Sequence, residues 1–211
     1  MKLYSVRILR GLEDKILAQR LLYEVYVKEL GWIPPEGNPS NLKIQASPLG
    51  NIMVDDYDSV SIQFGGFCGK KLIGIHRIIP RLNGRLDVEN YIELPFFLQK
   101  DCHYELNRLA IDINFRKSPI FSLIIAAEIR YLIKCKFKYV IGTAIFPEPG
   151  SLFCKVGATR INFPEFKYHL SDPKPVSLVV LFLEEKENFN RLFRVTDKLI
   201  QVGKVKQFDI D

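Results

Sequence analysis

Apolar and polar positions alternate with two different periods in the first half of the chain. Residues 2–8 follow the period of a strand, and residues 12–29 place apolar side chains at helical spacing with charges between them. The runs over 59–67 and 71–79 are strand-like and are separated by a short turn, which predicts a β-hairpin. The stretch over 33–50 is polar and rich in proline and glycine. It is long for a connection without structure, so it predicts a binding loop or a mobile segment.

The second half of the chain continues the alternation of strands and helices. The pattern predicts strands over 103–113, 139–146, 158–163 and 176–183, and helices over 118–136, 148–156 and 188–202. No internal repeat or domain linker interrupts this order. The sequence therefore predicts one mixed α/β (α+β) domain over residues 1–211, with a central sheet of about seven strands flanked by helices. Residues 186–211 are expected to form a C-terminal helical tail.

Composition and charge limit the partners that this domain could take. The 211 residues are 47% hydrophobic and carry a formal net charge of +6. A basic surface favours an acidic partner, although a merely basic soluble surface explains the charge equally well. No nucleic-acid-binding signature is present, so we expect no nucleic acid. No apolar run approaches the roughly 20 residues that span a bilayer, and the first residues lack a signal-peptide pattern. We therefore expect a cytoplasmic protein without stable membrane insertion.

The metal-ligating residue types are scattered. The four cysteines, Cys68, Cys102, Cys135 and Cys154, form no CxxC pair, and the three histidines have no ligand spacing. The sequence therefore predicts no metal site and no bound cofactor, and it predicts that the thiols are buried and reduced.

Charged residues embedded in apolar runs are the strongest functional signal. They are Asp55 and Asp58 in VDDYD, Arg77 in GIHRIIP, and Glu105 and Arg108 in YELNRLAI. A buried charge must be paired or functional, because an unpaired one is costly. The aspartates need a cation, which could be a metal, an arginine or a substrate amine, unless they form a solvated acidic turn. Arg77 needs a carboxylate from Asp55, Asp58 or Glu105, and a purely structural salt bridge remains the alternative. The period of a strand places Glu105 and Arg108 on opposite faces.

Preceded by VYVKELGW, this order of motifs resembles the autoinducer (acyl-homoserine-lactone) synthases and their relatives, the N-acyl amino acid synthases. The resemblance covers roughly residues 12–165. It implies an N-acetyltransferase-like fold, in which the fourth and fifth strands splay apart and a thioester donor enters the gap. It also implies an acyltransferase that moves a fatty acyl group from that thioester to the amine of an amino acid or similar acceptor.

The resemblance assigns catalytic roles to three residues. Glu105 would act as the base on the attacking amine, directly or through water. Arg108 and Arg77 would organise the carboxylates of the site.

Five further residues take substrate-binding roles by the same resemblance. Asp55 and Asp58 would help to form the acceptor site. Tyr26 and Trp32 would line the substrate pocket, although ordinary core aromatics would explain them equally well. Thr143 matches a position that lines the acyl-chain tunnel.

The sequence departs from the family pattern at three places. The autoinducer synthases carry an arginine at the position of Leu22, which argues against S-adenosylmethionine as the acceptor. Asn107 replaces the usual Ser or Thr. RKSPIF over 116–121 replaces the glycine-rich pyrophosphate loop of coenzyme-A-dependent relatives. The donor and partner expected here is therefore an acyl carrier protein rather than acyl-CoA.

Two alternatives stay open at this point. One is an acyl-homoserine-lactone synthase that uses S-adenosylmethionine. The other is a non-catalytic member of the fold that binds a lipid or a partner protein, with the charged residues forming a structural network.

Overall fold

The computed structural model describes residues 3–99 and 102–209. The strands are β1 (Tyr4–Ile8), β2 (Lys43–Ser47), β3 (Gly50–Val54), β4 (Ile62–Cys68), β5 (Lys71–Pro80), β6 (Tyr104–Ile111), β7 (Tyr139–Ala144), β8 (Thr159–Arg160), β9 (Ser177–Phe182) and β10 (Val205–Asp209). The α-helices are α1 (Gly11–Leu22), α2 (Phe96–Gln99), α3 (Ile120–Lys134), α4 (Gly150–Lys155) and α5 (Asn190–Gln201). A π-helical segment, Tyr23–Glu29, continues α1 directly.

The described strands form an eight-stranded sheet in the order β10-β1-β4-β5-β6-β7-β9-β8, and β2 pairs with β3 separately. Neighbouring strands are antiparallel except for the parallel pairs β1–β10 and β6–β7. Helices cover both faces of this sheet. The predicted mixed α/β fold with a large central sheet is therefore confirmed.

Helix α3 packs against one face of the sheet and α1 against the other. Most of α3 is fully buried, since it carries apolar residues on nearly every side. It approaches β4 closely at Gly66, where a Cβ atom would lie 2.5 Å from the side chain of Ile120. On the opposite face, Ala18 and Leu22 of α1 pack with Ile75 of β5 in a second apolar cluster.

Strands β6 and β7 diverge in the middle of the sheet, as the resemblance implies. They pair at only two positions in the described chain, Glu105 with Ile141 and Leu106 with Gly142. A Cβ atom at Gly142 would lie 3.0 Å from the main-chain oxygen of Leu106, so this junction favours glycine. Beyond the junction β6 continues to Ile111, and a wedge opens between the two strands.

A β-bulge interrupts β6 next to this wedge. Ile75 of β5 pairs with Ala110 and Arg77 pairs with Asn107, so two residues of β6 stand opposite His76 alone. Arg108, one of these two residues, has a φ of +57°. Such an insertion resets the alternation of side chains between the two faces.

Other elements also differ from the sequence prediction. Residues 43–50, fewer than half of the 33–50 stretch, belong to the β2–β3 hairpin instead of a loop. The predicted helical tail ends after α5, and β10 then joins the sheet edge beside β1. The strand predicted over 158–163 shortens to the two residues of β8. All four cysteines are free thiols, but only Cys102 is buried, so the expectation that all four are buried was wrong.

Candidate active site

The centre of the site is an ion-pair network around Arg77. Its Nη1 donates to Asp55 Oδ1 at 2.9 Å and to Asp58 Oδ1 at 2.8 Å, and its Nη2 donates to Asp55 Oδ2 at 2.5 Å. Its Nε donates to Asn107 Oδ1 at 2.7 Å. Of the three cations that the sequence left open for the aspartates, the structure supplies arginine. Arg77 pairs with Asp55 and Asp58, and within the described residues no hydrogen bond or ion pair joins it to Glu105.

The turn Asp56–Ser59 holds the two aspartates in place. Asp55 accepts the Tyr57 N–H at 3.0 Å, while Asp58 accepts the Asp55 N–H at 3.1 Å, which is a reciprocal capping arrangement. Asp58 also accepts a hydrogen bond of 2.8 Å from Gln19 of α1. The aspartates are therefore fixed by one helix, one turn and one strand, and the alternative of a solvated acidic turn does not describe them.

Arg108 joins the same network from β6. Its Nε donates to Asp55 Oδ2 at 3.4 Å, and its Nη2 lies 3.8 Å from Asp87 Oδ2. Burial alone would raise the pKa of Asp55, but the guanidiniums of Arg77 and Arg108 hold that pKa below its ordinary value. The bulge turns Arg108 towards the face that carries Arg77 and Asn107. The expectation that Glu105 and Arg108 leave opposite faces was therefore wrong.

Glu105 is completely buried at the junction of β6 and β7. Its Oε2 accepts the Val88 N–H at 3.0 Å, and its Oε1 has no hydrogen-bond partner among the described residues. Burial, with the charge of Asp87 next in importance, raises the pKa of Glu105 to about 8. A carboxyl group in this state can exchange a proton near neutral pH.

Asp87 is a site residue that sequence reasoning missed. It is 5% exposed, and its Oδ1 has no hydrogen-bond partner in the described part of the chain. Burial and the charge of Asp55 raise its pKa, against the opposing effects of Arg108 and Arg77. The turn-like sequence RLNGRLDVEN gives no strand or helix period around Asp87. Only the position of its carboxylate between two apolar residues, Leu86 and Val88, could have marked it.

Tyrosines surround these two carboxyl groups. The charges of Asp87 and Glu105 add to burial in raising the pKa values of Tyr57, Tyr91 and Tyr168. The rings of Tyr91 and Tyr168 meet edge to face with centroids 4.7 Å apart. Sequence reasoning missed all three tyrosines. Tyr57 lies inside VDDYD, where the carboxylates give the stronger chemical signal, and Tyr91 and Tyr168 lie in turns without a recognisable motif.

Thr143, on β7, contacts one of these tyrosines. Its Oγ1 lies 2.9 Å from the hydroxyl of Tyr168, so the threonine reaches the site through the loop that follows β8. The predicted tunnel-lining role of Thr143 stays a prediction.

Tyr26 and Trp32 form a second aromatic wall. Tyr26 donates to the main-chain oxygen of Leu109 at 3.1 Å, which anchors the π-helical segment to the bulge. The rings of Trp32 and Tyr26 meet edge to face with their centroids 6.1 Å apart. Trp32 also donates its Nε1–H to Asp172 at 2.9 Å. π-Helical segments are frequent at functional sites, which agrees with this location. Whether the two rings line a substrate pocket stays a prediction.

Residues 3–99 and 102–209 contain no cluster of three or more His, Cys, Asp or Glu side chains arranged to hold a metal ion. None of their helices is long and apolar enough to cross a membrane.

Comparison with known proteins gives structural likenesses alone. No family model matches the sequence, and no curated protein matches it. FeeM, an N-acyl amino acid synthase from uncultured soil microbes, matches with a TM-score of 0.67 and 18% identity over 92% of this chain and 98% of that chain. BjaI, a CoA-dependent acyl-homoserine lactone synthase solved with SAM and isopentyl-CoA, matches with a TM-score of 0.61 and 15% identity over 98% of this chain and 93% of that chain.

A solved acetyltransferase structure is similar as well. An acetyltransferase of the GNAT family from Streptococcus pneumoniae has a TM-score of 0.55 and 12% identity over 84% of this chain and 97% of that chain. These likenesses confirm the resemblance at the level of the fold. The chain has the N-acetyltransferase-like fold in the form found in N-acyl amino acid synthases and acyl-homoserine lactone synthases.

Proposed function

We propose that this chain is an N-acyltransferase that moves a fatty acyl group from a thioester donor to the amine of an acceptor. The observation that carries the proposal is Glu105, a fully buried carboxyl group at the point where β6 and β7 diverge. A main-chain N–H fixes one of its oxygens, and the other faces no donor in the described chain. The likeness to an N-acyl amino acid synthase and an acyl-homoserine lactone synthase supports this reaction class.

The proposed reaction is a direct attack. The amine nitrogen bonds to the thioester carbonyl carbon, the carbon–sulfur bond breaks, and the amine gives one proton to Glu105. That proton then passes to the departing thiolate, so the products are an amide and a thiol. A base whose pKa lies near the working pH suits this transfer, which typically contributes about 10²–10⁴-fold to the rate. Main-chain N–H groups in the wedge would stabilise the oxyanion.

The remaining site residues would position the acceptor and the acyl chain. Arg77 and Arg108 hold the aspartates and so fix the floor of the acceptor pocket. Tyr26 and Trp32 would line that pocket, and Thr143 would lie along the acyl chain. Each CH₂ group buried in the wedge would add about 0.8 kcal/mol to donor binding.

An acyl carrier protein is the proposed donor and partner. Residues 112–119, which lead from β6 into α3, contain no glycine. They form a short 3₁₀ turn, Ile113–Phe115, capped by the side chain of Asp112. A loop of this kind is poorly suited to cradle a pyrophosphate, whereas a carrier protein presents only its phosphopantetheine arm. As part of the same proposal, the reaction takes place in the cytoplasm.

The donor proposal is tested by adding salt. We expect turnover with an acyl carrier protein to fall as ionic strength rises, because charge attraction to a basic surface is screened. Turnover with the matching acyl-CoA serves as the comparison. Equal or better use of acyl-CoA, without the salt effect, would contradict a carrier protein as the donor.

The S-adenosylmethionine alternative has less support. Leu22, at the position of the arginine in autoinducer synthases, is 3% exposed and belongs to the apolar cluster around α1. It therefore provides no charge for a substrate carboxylate.

The decisive experiment is mass spectrometry of lipid extracts from cells expressing the wild type or Glu105→Gln. We expect an N-acylated amine in the wild type alone, with circular dichroism showing that the variant is folded. An acyl-homoserine lactone would establish the alternative acceptor. An equal amount of product in both strains would remove Glu105 from the mechanism.

A further inference from the structure

Two buried carboxylate oxygens of the site make no hydrogen bond with the described residues. They are Oδ1 of Asp87 and Oε1 of Glu105, whose residues are 5% and 0% exposed. Ser40 lies near Asp87 and favours the charged form of that carboxyl group. The hydrogen bond that the Ser40 hydroxyl donates goes to Asn38 instead. Buried polar atoms normally have partners, because leaving them unpaired is costly. A donor supplied by a ligand would satisfy both oxygens.

The two carboxyl groups are neighbours. The Val88 N–H that holds Glu105 belongs to the residue directly after Asp87. After burial, Asp87 is also the group that most disfavours ionisation of Glu105, which agrees with a short separation. Rings of Tyr91 and Tyr168 stand beside the pair, and aromatic faces together with carboxylates form a favourable environment for an ammonium ion.

The nearby arginines are already engaged with the protein's own carboxylates. Arg77 makes three hydrogen bonds to Asp55 and Asp58 and one to Asn107. Arg108 donates to Asp55 and lies beside Asp87. The site therefore holds four acidic side chains and two guanidiniums. A carboxylate on the acceptor would enter as a fifth acidic group beside two cations that are already paired.

We infer that Asp87 and Glu105 together bind the ammonium group of the acceptor, and that this acceptor is a cationic amine without a carboxylate next to its reacting nitrogen. This inference rests on the proposed function for the identity of the acceptor, and it assigns Asp87 as a substrate-binding residue. The bound ammonium gives one proton to the Glu105 carboxylate, which passes it on to water, so that the neutral amine becomes the nucleophile and Glu105 can accept the second proton released during the attack.

The test compares amines with their parent amino acids, without any acyl donor. Two matched pairs are used: phenethylamine with phenylalanine, and isobutylamine with valine. Binding is followed by calorimetry and by the fluorescence of Trp32, which is the single tryptophan of the chain. In at least one pair, we expect the amine to bind about tenfold or more tightly than its parent. Equal or tighter binding of the amino acids, or no binding of any amine up to about 10 mM, would overturn the inference.

Variants separate the role of Asp87 from the general charge of the site. Asp87→Asn is expected to weaken amine binding by about thirtyfold or more. Asp87→Glu keeps the charge and should retain more of the affinity, which also controls for misfolding. Asp56→Asn removes an exposed neighbouring carboxylate outside the network and should leave binding unchanged. Amine binding that is unchanged in Asp87→Asn would refute the assignment.

Failure of the inference and failure of the proposed function give different results. Amine binding without acylated product from acyl carrier protein or acyl-CoA would overturn the acyltransferase and leave the ammonium site standing. Acylation of amino acids but not of amines would leave the acyltransferase standing and overturn the inference.

Discussion

Glu105→Gln should change how the stability of the protein depends on pH. The ordinary pKa of a glutamate is 4.5, and burial beside Asp87 raises that of Glu105 to about 8. Between these values the folded state binds more protons than the unfolded state, so the free energy of unfolding falls as pH rises. Each tenfold change in the dissociation constant corresponds to about 1.36 kcal/mol, which gives up to about 5 kcal/mol over this range. Glutamine cannot ionise, so the variant loses this dependence.

Urea unfolding followed by circular dichroism between pH 4.5 and pH 9 measures the effect. We expect the variant and the wild type to have similar stabilities at the lowest pH, where Glu105 is protonated and nearly isosteric with glutamine. The variant should then become progressively more stable than the wild type until about pH 8, where the difference levels off. Glu36→Gln changes an exposed carboxyl group and is the matched surface control. A flat difference between Glu105→Gln and the wild type would refute the raised pKa of Glu105 and the reasoning about its burial.

Three further substitutions test the architecture around the site by thermal or urea unfolding. Arg77→Ala leaves two buried aspartates without their main cation and should lower the free energy of unfolding by about 3–5 kcal/mol. Arg160→Ala, at a surface ion pair, should lower it by under about 1 kcal/mol. Equal losses in the two variants would contradict the buried network. Tyr26→Phe removes the hydrogen bond to the oxygen of Leu109 and should cost about 1 kcal/mol, and no loss would show that water replaces the hydroxyl. Gly142→Ala forces a methyl group against the neighbouring strand and should cost about 1–3 kcal/mol, while a neutral result would mean that the wedge opens easily.

Local periodicity was sufficient to predict much of the fold. The β4–β5 hairpin, α3 and β7 each combine a clear apolar period with turn residues at their ends, and all three are present. The β2–β3 hairpin was missed because the short alternation of KIQAS in β2 lies within a stretch rich in proline and glycine, which favours a loop. Strand β10 was missed because its pairing with β1 at the sheet edge is a long-range contact.

The candidate site was predictable where charges interrupt apolar strands. Arg77 and Glu105 are buried in strands, and a charge there requires a partner or a function. Asp87 and Tyr168 were missed because their burial comes from loops that fold back over the sheet, which no local pattern encodes. The direction of Arg108 was mispredicted, because a bulge depends on the pairing of two strands and leaves no signal in the period of one strand.

The bulge in β6 also has a consequence for changes in chain length. Before Arg108 the odd-numbered residues of β6 lie on the face of Arg77, whereas after Leu109 the even-numbered residues lie on that face. Deleting Leu109 would restore a single alternation in which Ala110 and Ile111 keep their partners on β5, but Arg108 would then stand opposite His76, on the face away from Arg77. Tolerance to one-residue deletions should therefore distinguish this position from the surface turns of the same protein.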